Sequence, residues 1–253
     1  DRSGKLSLAV LGLGVDLVAS VLVLIAAVYA TAQGTSGVLA DLDLPSESVL
    51  YLFLGAVLRL NLYPFHRVLL AESGGTRGVF MVLRLASAVA GVDAMAAVAS
   101  QSAMILLPNW FTVGLLMSGL AVAWLWWSRA NTREGLIYFV LAQSALISLI
   151  VARANEWSYV GVVAQGMAMV LGSSVLFLCQ GFEDDKSVWL AAPLLAVGMI
   201  VGLPLTVGYL GMWVLYTDLD HGVGGFASGL GVFLTQVLLV AGGIKWALAS
   251  RER

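Results

Sequence analysis

The chain contains a single cysteine, Cys179, and only two histidines, His66 and His221, in 253 residues. A lone cysteine excludes an internal disulfide and any thiolate cage for zinc or an iron–sulfur cluster. Both histidines fall in or near loops, which leaves little for haem or zinc ligation, so neither a metal nor another cofactor is expected. Charged residues are also scarce, at 11% against about 25% in a soluble domain. The net charge of -2 argues against nucleic acid as a partner. The chain lacks an initiator methionine and a signal-peptide pattern, and is expected to be processed or to be part of a longer protein.

What the chain has instead is apolar surface. Hydrophobic residues make up 60% and the mean hydropathy is +0.95, which defines an integral membrane protein. The alternation of barrel strands is absent. The expected fold is therefore all-α, one polytopic transmembrane helix bundle over residues 1–253. A span needs roughly 20 apolar residues, and eight candidates meet that, at about 6–30, 47–70, 78–100, 110–128, 134–152, 157–181, 187–216 and 224–249. Two of the eight are expected to break, near Pro64 and Pro204, because proline removes a helix donor and crowds the preceding turn.

Loop charges orient these spans. With the N-terminus inside, the cytoplasmic side receives Arg2, Lys5, Arg67, Arg77, Arg129, Arg133, Lys186, Arg251 and Arg253. The other side receives Arg153 alone, with Asp41, Asp43, Glu47, Glu156, Asp218 and Asp220. This asymmetry follows the positive-inside rule and places both termini in the cytoplasm, in a bacterial inner membrane. The acidic run Glu183–Asp185 is an exception, of a sign that counts little in the rule. Small residues recur at four-residue spacing, as in Gly198 and Gly202, and suit close helix packing. Trp110, Trp124, Trp126, Trp127, Trp157 and Trp189 fall near span ends and are expected to form an interfacial belt.

Charge inside the spans is the most informative feature. Residues 53–70, FLGAVLRLNLYPFHRVLL, set Arg59 in an apolar run, with Pro64 and His66 just after it. A charged side chain in hydrocarbon costs a few kcal/mol or more unless it is paired or hydrated. Asp16, Arg84, Asp93 and Lys245 are the other ionisable residues within spans. Lys245 is near a helix end, where a long stem snorkels to the interface, and Arg84 lies within reach of the basic side. Asp93 lies nine residues beyond Arg84, about 13 Å along the helix and on the opposite face. Arg59 is expected to take Asp93 or Asp16 as counter-ion across helices. Arginine does not titrate in proteins, so this set can hold a field but is poorly suited to relaying protons.

Four stretches resemble the antiporter-like membrane subunits of respiratory complex I and related cation/proton antiporter complexes. RLNLYPFH, residues 59–66, is similar to a broken-helix motif in which a lysine precedes Pro-Phe-His by five residues; Arg59 stands at the lysine. TREGLIYFVLAQSALISL, residues 132–149, matches a basic loop followed by a tyrosine and a glutamine, here Tyr138 and Gln143. MAMVLGSSVLFLCQG, residues 167–181, resembles a segment ending Leu-Phe-Leu-x-x-Gly. GLPLTVGYLGMW, residues 202–213, resembles a second broken-helix motif. The resemblance covers about residues 50–216.

The departures bear on function. Where that family carries a histidine, a lysine and a further lysine, this chain has Met169, Ser173 and Met212. The resemblance implies about fourteen helices in the family against eight here, the difference lying on the N-terminal side. It therefore points to a proton-silent, structural subunit within a larger membrane energy-conversion complex, with no catalytic site of its own. Its partners would be other membrane subunits and lipid. Arg59, His66, Arg84 and Asp93 would form a residual polar axis. Two other readings stay open: an active proton or cation path supported by Gln143, Ser144, Gln165 and Ser173, and a scaffold binding pigment, quinone or lipid.

Overall fold

A computed structural model describes residues 2–32, 44–60, 62, 79–101, 109–129, 135–153, 155–181, 191–217 and 223–251. These residues fold into α1 (Arg2–Ala32), α2 (Ser46–Arg59), α3 (Val79–Ala99), α4 (Asn109–Arg129), α5 (Gly135–Ala152), α6 (Ser158–Gly181), α7 (Ala191–Val201), α8 (Val207–Thr217) and α9 (Val223–Arg251).

The core is built around α5. Its apolar residues run all round the helix rather than along one stripe, and a helix of that kind belongs in the interior. All but Val140 and Ala152 of it are buried. Helices α4 and α6 flank it, α9 packs on α4, and α7 and α8 pack on α6; α3 joins α6 to the pair α1–α2. The outer faces remain apolar, with Leu13, Leu17 and Leu24 on α1, Val113 and Met117 on α4, and Phe226 and Phe233 on α9 all exposed. An apolar exterior around an apolar interior is what a bilayer requires of a bundle. Five helical stretches are long and apolar enough to cross it: Gly12–Ala32, Asn109–Arg129, Gly135–Ala152, Ser158–Cys179 and Gly225–Leu248. The chain is an all-α polytopic membrane helix bundle.

Of the other three expected spans, α3 runs 21 residues, and the other two are shorter among the described residues. Helix α2 has 14 residues, about 21 Å at 1.5 Å per residue, against a hydrocarbon layer of about 30 Å. It ends at Arg59, with Leu60 in a closing turn, so Arg59 terminates a short helix instead of lying mid-run. Pro64 and His66 lie outside the described residues. Helices α7 and α8 have 11 residues each.

Between α7 and α8 the chain breaks where Pro204 predicts. Proline at 204 offers no N–H to the Ile200 carbonyl and its ring crowds that oxygen. Helix α7 therefore stops at Val201. Gly202 takes the left-handed φ of 84° that closes the helix, and Gly202 and Leu203 both donate backbone N–H bonds to Gly198 O, the usual glycine-capped helix end. The next turn carries Leu205 at φ 73°, a strained value for a residue with a branched side chain. Helix resumes at Val207.

One expectation is corrected. Trp126 does not join the interfacial belt. It is fully buried, its Nε1 donates to the Leu239 carbonyl of α9 at 3.1 Å, and its ring lies 5.2 Å from that of Phe139. Glycine at 242 leaves room for that approach by α9, since a Cβ there would collide with the indole. Three tryptophans in a row of four positions cannot all face one way on a helix, and Trp126 takes the inward face. Trp110, Trp124, Trp127 and Trp157 are exposed as expected.

Candidate functional site

The interruption at Pro204 frees two backbone carbonyls in the bundle interior. In a continuous helix Ile200 O and Val201 O would accept from residues 204 and 205. Here Gln165 Nε2 of α6 donates to Ile200 O at 2.9 Å, and Gln236 Nε2 of α9 donates to Val201 O at 3.1 Å. Each glutamine is itself held by a further group. Gln165 Nε2 also donates to Gln143 Oε1 of α5 at 2.6 Å, and the Tyr216 hydroxyl of α8 donates to Gln236 Oε1 at 2.7 Å. Four side chains from four helices thus converge on one helix end, because a freed carbonyl in an apolar interior is costly until something donates to it.

This cluster lies at mid-depth. Opposite the break on α6, Gly208 meets Ala168 and Gly172 meets Ile200. Ala168 lies ten residues after Ser158 and eleven before Cys179, the ends of the membrane-crossing stretch of α6. Close approach depends on glycine: an ideal Cβ at Gly211 of α8 would lie 2.6 Å from Gln165 Oε1. Gln143 and Gln165 are fully buried. Gln143 Nε2 and Gln165 Oε1 have no hydrogen-bond partner among the described residues.

The chemistry of the cluster is that of amides, a phenol and carbonyls. None is a carboxylate, imidazole or amine, the groups that exchange a proton near neutral pH. Around it, the positions singled out for their departures are packed as core. Met169 is fully buried, with Ser144 Oγ 3.8 Å from its sulfur. Ser173 Oγ turns back to donate to Met169 O of its own helix. Met212 is buried.

A second polar point forms where α2 ends. Arg59 Nη2 donates to Ser20 Oγ of α1 at 3.2 Å, and Ser20 Oγ donates to Asp16 O one turn away. Ser20 lies inside the stretch Gly12–Ala32 that is long enough to cross a membrane, so the guanidinium sits within the span. A cation at a helix C-terminus also meets the negative end of the helix dipole. Asp16, half-buried, is on the same side of α1. Gly91 of α3 is the residue that packs on Leu60 and the Arg59 Cβ; Asp93, two positions and some 200° further round the helix, is exposed. Arg84 falls within α3, and its side chain lies outside the described structure.

Three further cations among the described residues make contacts near helix ends. Lys245 Nζ donates to Trp127 O in the last turn of α4 at 3.2 Å. Arg153 donates to Leu215 O at the end of α8 and to Ser228 Oγ of α9, each at 3.0 Å. Arg129 Nη1 donates to the Tyr138 hydroxyl at 3.5 Å, with its guanidinium carbon 5.9 Å from the ring centroid. Tyr138 and Gln143, paired in one motif, therefore serve different places: the Arg129 contact near the end of α4 and the interior cluster. Sequence reasoning did not find Gln236 or Tyr216. The available signal was a glutamine in the apolar stretch of α9, but nothing local ties it to residue 201. Among the described residues no group of three or more His, Cys, Asp or Glu is placed to hold a metal ion.

Neither a known protein family nor a curated protein sequence matches the chain.

Proposed function

We infer that the chain is a proton-silent relative of the antiporter-like subunits, acting as a structural membrane subunit of a larger energy-conversion complex. The observation that carries this is the makeup of the cluster at Pro204. A discontinuous helix at mid-membrane is the place where ion-coupled transporters set their binding groups. Here that place is filled by Gln143, Gln165, Gln236 and Tyr216, and Met169 and Met212 pack as core beside it. The broken-helix form is kept, and the titrating side chains are not.

On this reading the chain passes the membrane eight times. The five long stretches are joined by α2 with its continuation, by α3, and by α7 and α8 acting as one interrupted span. Both termini lie in the cytoplasm of a bacterial inner membrane, and Arg153 on the far side is absorbed by the ends of α8 and α9. Other membrane subunits and lipid surround the bundle. The test is to reconstitute the native complex in proteoliposomes and compare proton uptake with Gln165→Leu and Arg59→Leu. Unchanged flux per assembled complex is expected; loss of flux with assembly intact would overturn the reading.

One observation favours the second reading, an active proton or cation path. Gln143 Nε2 and Gln165 Oε1 are a buried donor and acceptor without partners among the described residues, and groups of that kind bind internal water. Water at that point would have to run on to Arg59 or Asp16 for a path to exist. The same flux measurement separates the readings.

A further inference from the structure

The tip of the interrupted span faces outward as well as inward. While Ile200 O and Val201 O point to glutamines in the interior, Leu203, Pro204 and Leu205 are exposed, and the Leu205 side chain is exposed in full, at 104%. The backbone there is neither helical nor covered. Thr206 N–H and Oγ1 both donate to Leu203 O, but Leu205 N–H and the Pro204 and Leu205 carbonyls have no hydrogen bond among the described residues. The break is level with Ala168, halfway along the membrane-crossing stretch of α6. Irregular backbone at that depth is tolerated only against protein or a water-filled cavity, because lipid tails supply no donors or acceptors. Leu203 and Leu205 make the outward surface apolar, which disfavours a water cavity and suits a protein surface.

We propose that the Leu203–Leu205 tip is a docking point for a transmembrane helix of a partner subunit. That helix presents an apolar groove to Leu205 and a hydroxyl or amide side chain to the Leu205 N–H or the Pro204 carbonyl. The left-handed φ of Leu205 fits the assignment: a strained residue that holds its side chain clear of its own bundle gains contacts only when something else packs on it. Exposed Val207, Tyr209 and Leu210 at the start of α8 extend the same surface. The inference rests on the depth of the break in the bundle and does not depend on the energy-conversion reading.

The test places the photocrosslinker p-benzoylphenylalanine at Leu205 or Leu203 in the full chain, in its native membrane, with Leu195 of α7 as the lipid-facing control. Adducts from 203 and 205 are expected on a membrane-spanning peptide of a different polypeptide. The site of attachment should lie within one turn of a Ser, Thr, Asn or Gln, and position 195 should give lipid adducts. In the second arm Leu205→Gly, which relieves the φ strain and so preserves the fold, is combined with the crosslinker at 203. The partner adduct should fall by about tenfold, the effect of losing one well-packed contact, while the thermal transition of the isolated chain is not lowered. Adducts from 203 and 205 only to lipid, to another part of this chain or to a second copy of it would overturn the proposal. So would an undiminished partner adduct in Leu205→Gly. A partner helix from a complex without redox subunits would overturn the proposed function and leave this docking point standing.

Discussion

Gln236 Nε2 of α9 donates to the Val201 carbonyl of α7 at 3.1 Å, and so occupies the acceptor that a continuous helix would have given to Leu205. The partner is 35 positions away in the chain. With Gln165 on the adjacent carbonyl, it allows the bundle to keep a broken helix at mid-membrane without a charged group.

Replacing Gln236 by Leu leaves Val201 O without its donor and the Tyr216 hydroxyl without its acceptor. A loss of about 1–2 kcal/mol is expected, at the upper end of interhelical hydrogen bonds in membranes. Unfolding in mixed micelles as a function of denaturing detergent measures it. A change below the noise of that measurement would mean that the carbonyl is hydrated or paired elsewhere.

Gln165→Leu should cost more than Gln236→Leu, since Gln165 Nε2 serves both Gln143 Oε1 and Ile200 O. The double variant Gln143→Leu/Gln165→Leu should recover part of the loss, because removing both partners avoids a buried unpaired amide. A double-mutant cycle on thermal stability reads this directly, and strict additivity of the two losses would count against the pairing.

Glycine at 211 is required by space. A Cβ there would lie 2.6 Å from Gln165 Oε1 and 3.1 Å from Gly161 O. Gly211→Ala is expected to destabilise by about 1–3 kcal/mol, the usual cost of overpacking. At Gly114, where nothing lies within 4 Å, the same change should be neutral or slightly stabilising, as alanine is the better helix former. Thermal unfolding of the two variants in detergent separates these outcomes.

Arg59→Leu removes the guanidinium that ties α2 to Ser20 of α1. Reduced assembly or stability with little change in ion flux per assembled complex is expected. Arg59→Lys should restore part of the stability, since it keeps the cation at the helix end but only one directional contact. Yield by size-exclusion chromatography and flux in proteoliposomes are the two readouts.

Trp126→Phe should cost about 1 kcal/mol by loss of the Leu239 hydrogen bond, while Trp127→Phe, on the exposed face of the same helix, should cost little. Fluorescence offers a check independent of stability. Removing Trp126 should delete a component insensitive to lipid-phase quenchers, and removing Trp127 one that is quenched.

Much of this was legible in the sequence. Composition and hydropathy made the chain a helical membrane bundle, because no soluble fold hides so much apolar surface. Pro204 located the second break, because its missing N–H and its ring act within one turn. Met169 and Met212 marked positions without titrating groups. The side-chain partners were not legible. Asp93 and Asp16 were equal candidates for Arg59, and nothing in the sequence pointed to the contact it makes with Ser20 of α1.

Trp126 and Trp127 state the division most simply. The sequence by itself determined that both would be near a helix end, since position along a helix follows from chain length at 1.5 Å per residue. It also determined which carbonyls Pro204 would free, since that is local geometry. Only the tertiary structure decided that Trp126 turns inward to Leu239 and that Gln165 and Gln236 reach Ile200 O and Val201 O. Those pairings depend on how helices far apart in the chain rotate and approach, and that is set by packing of the whole bundle.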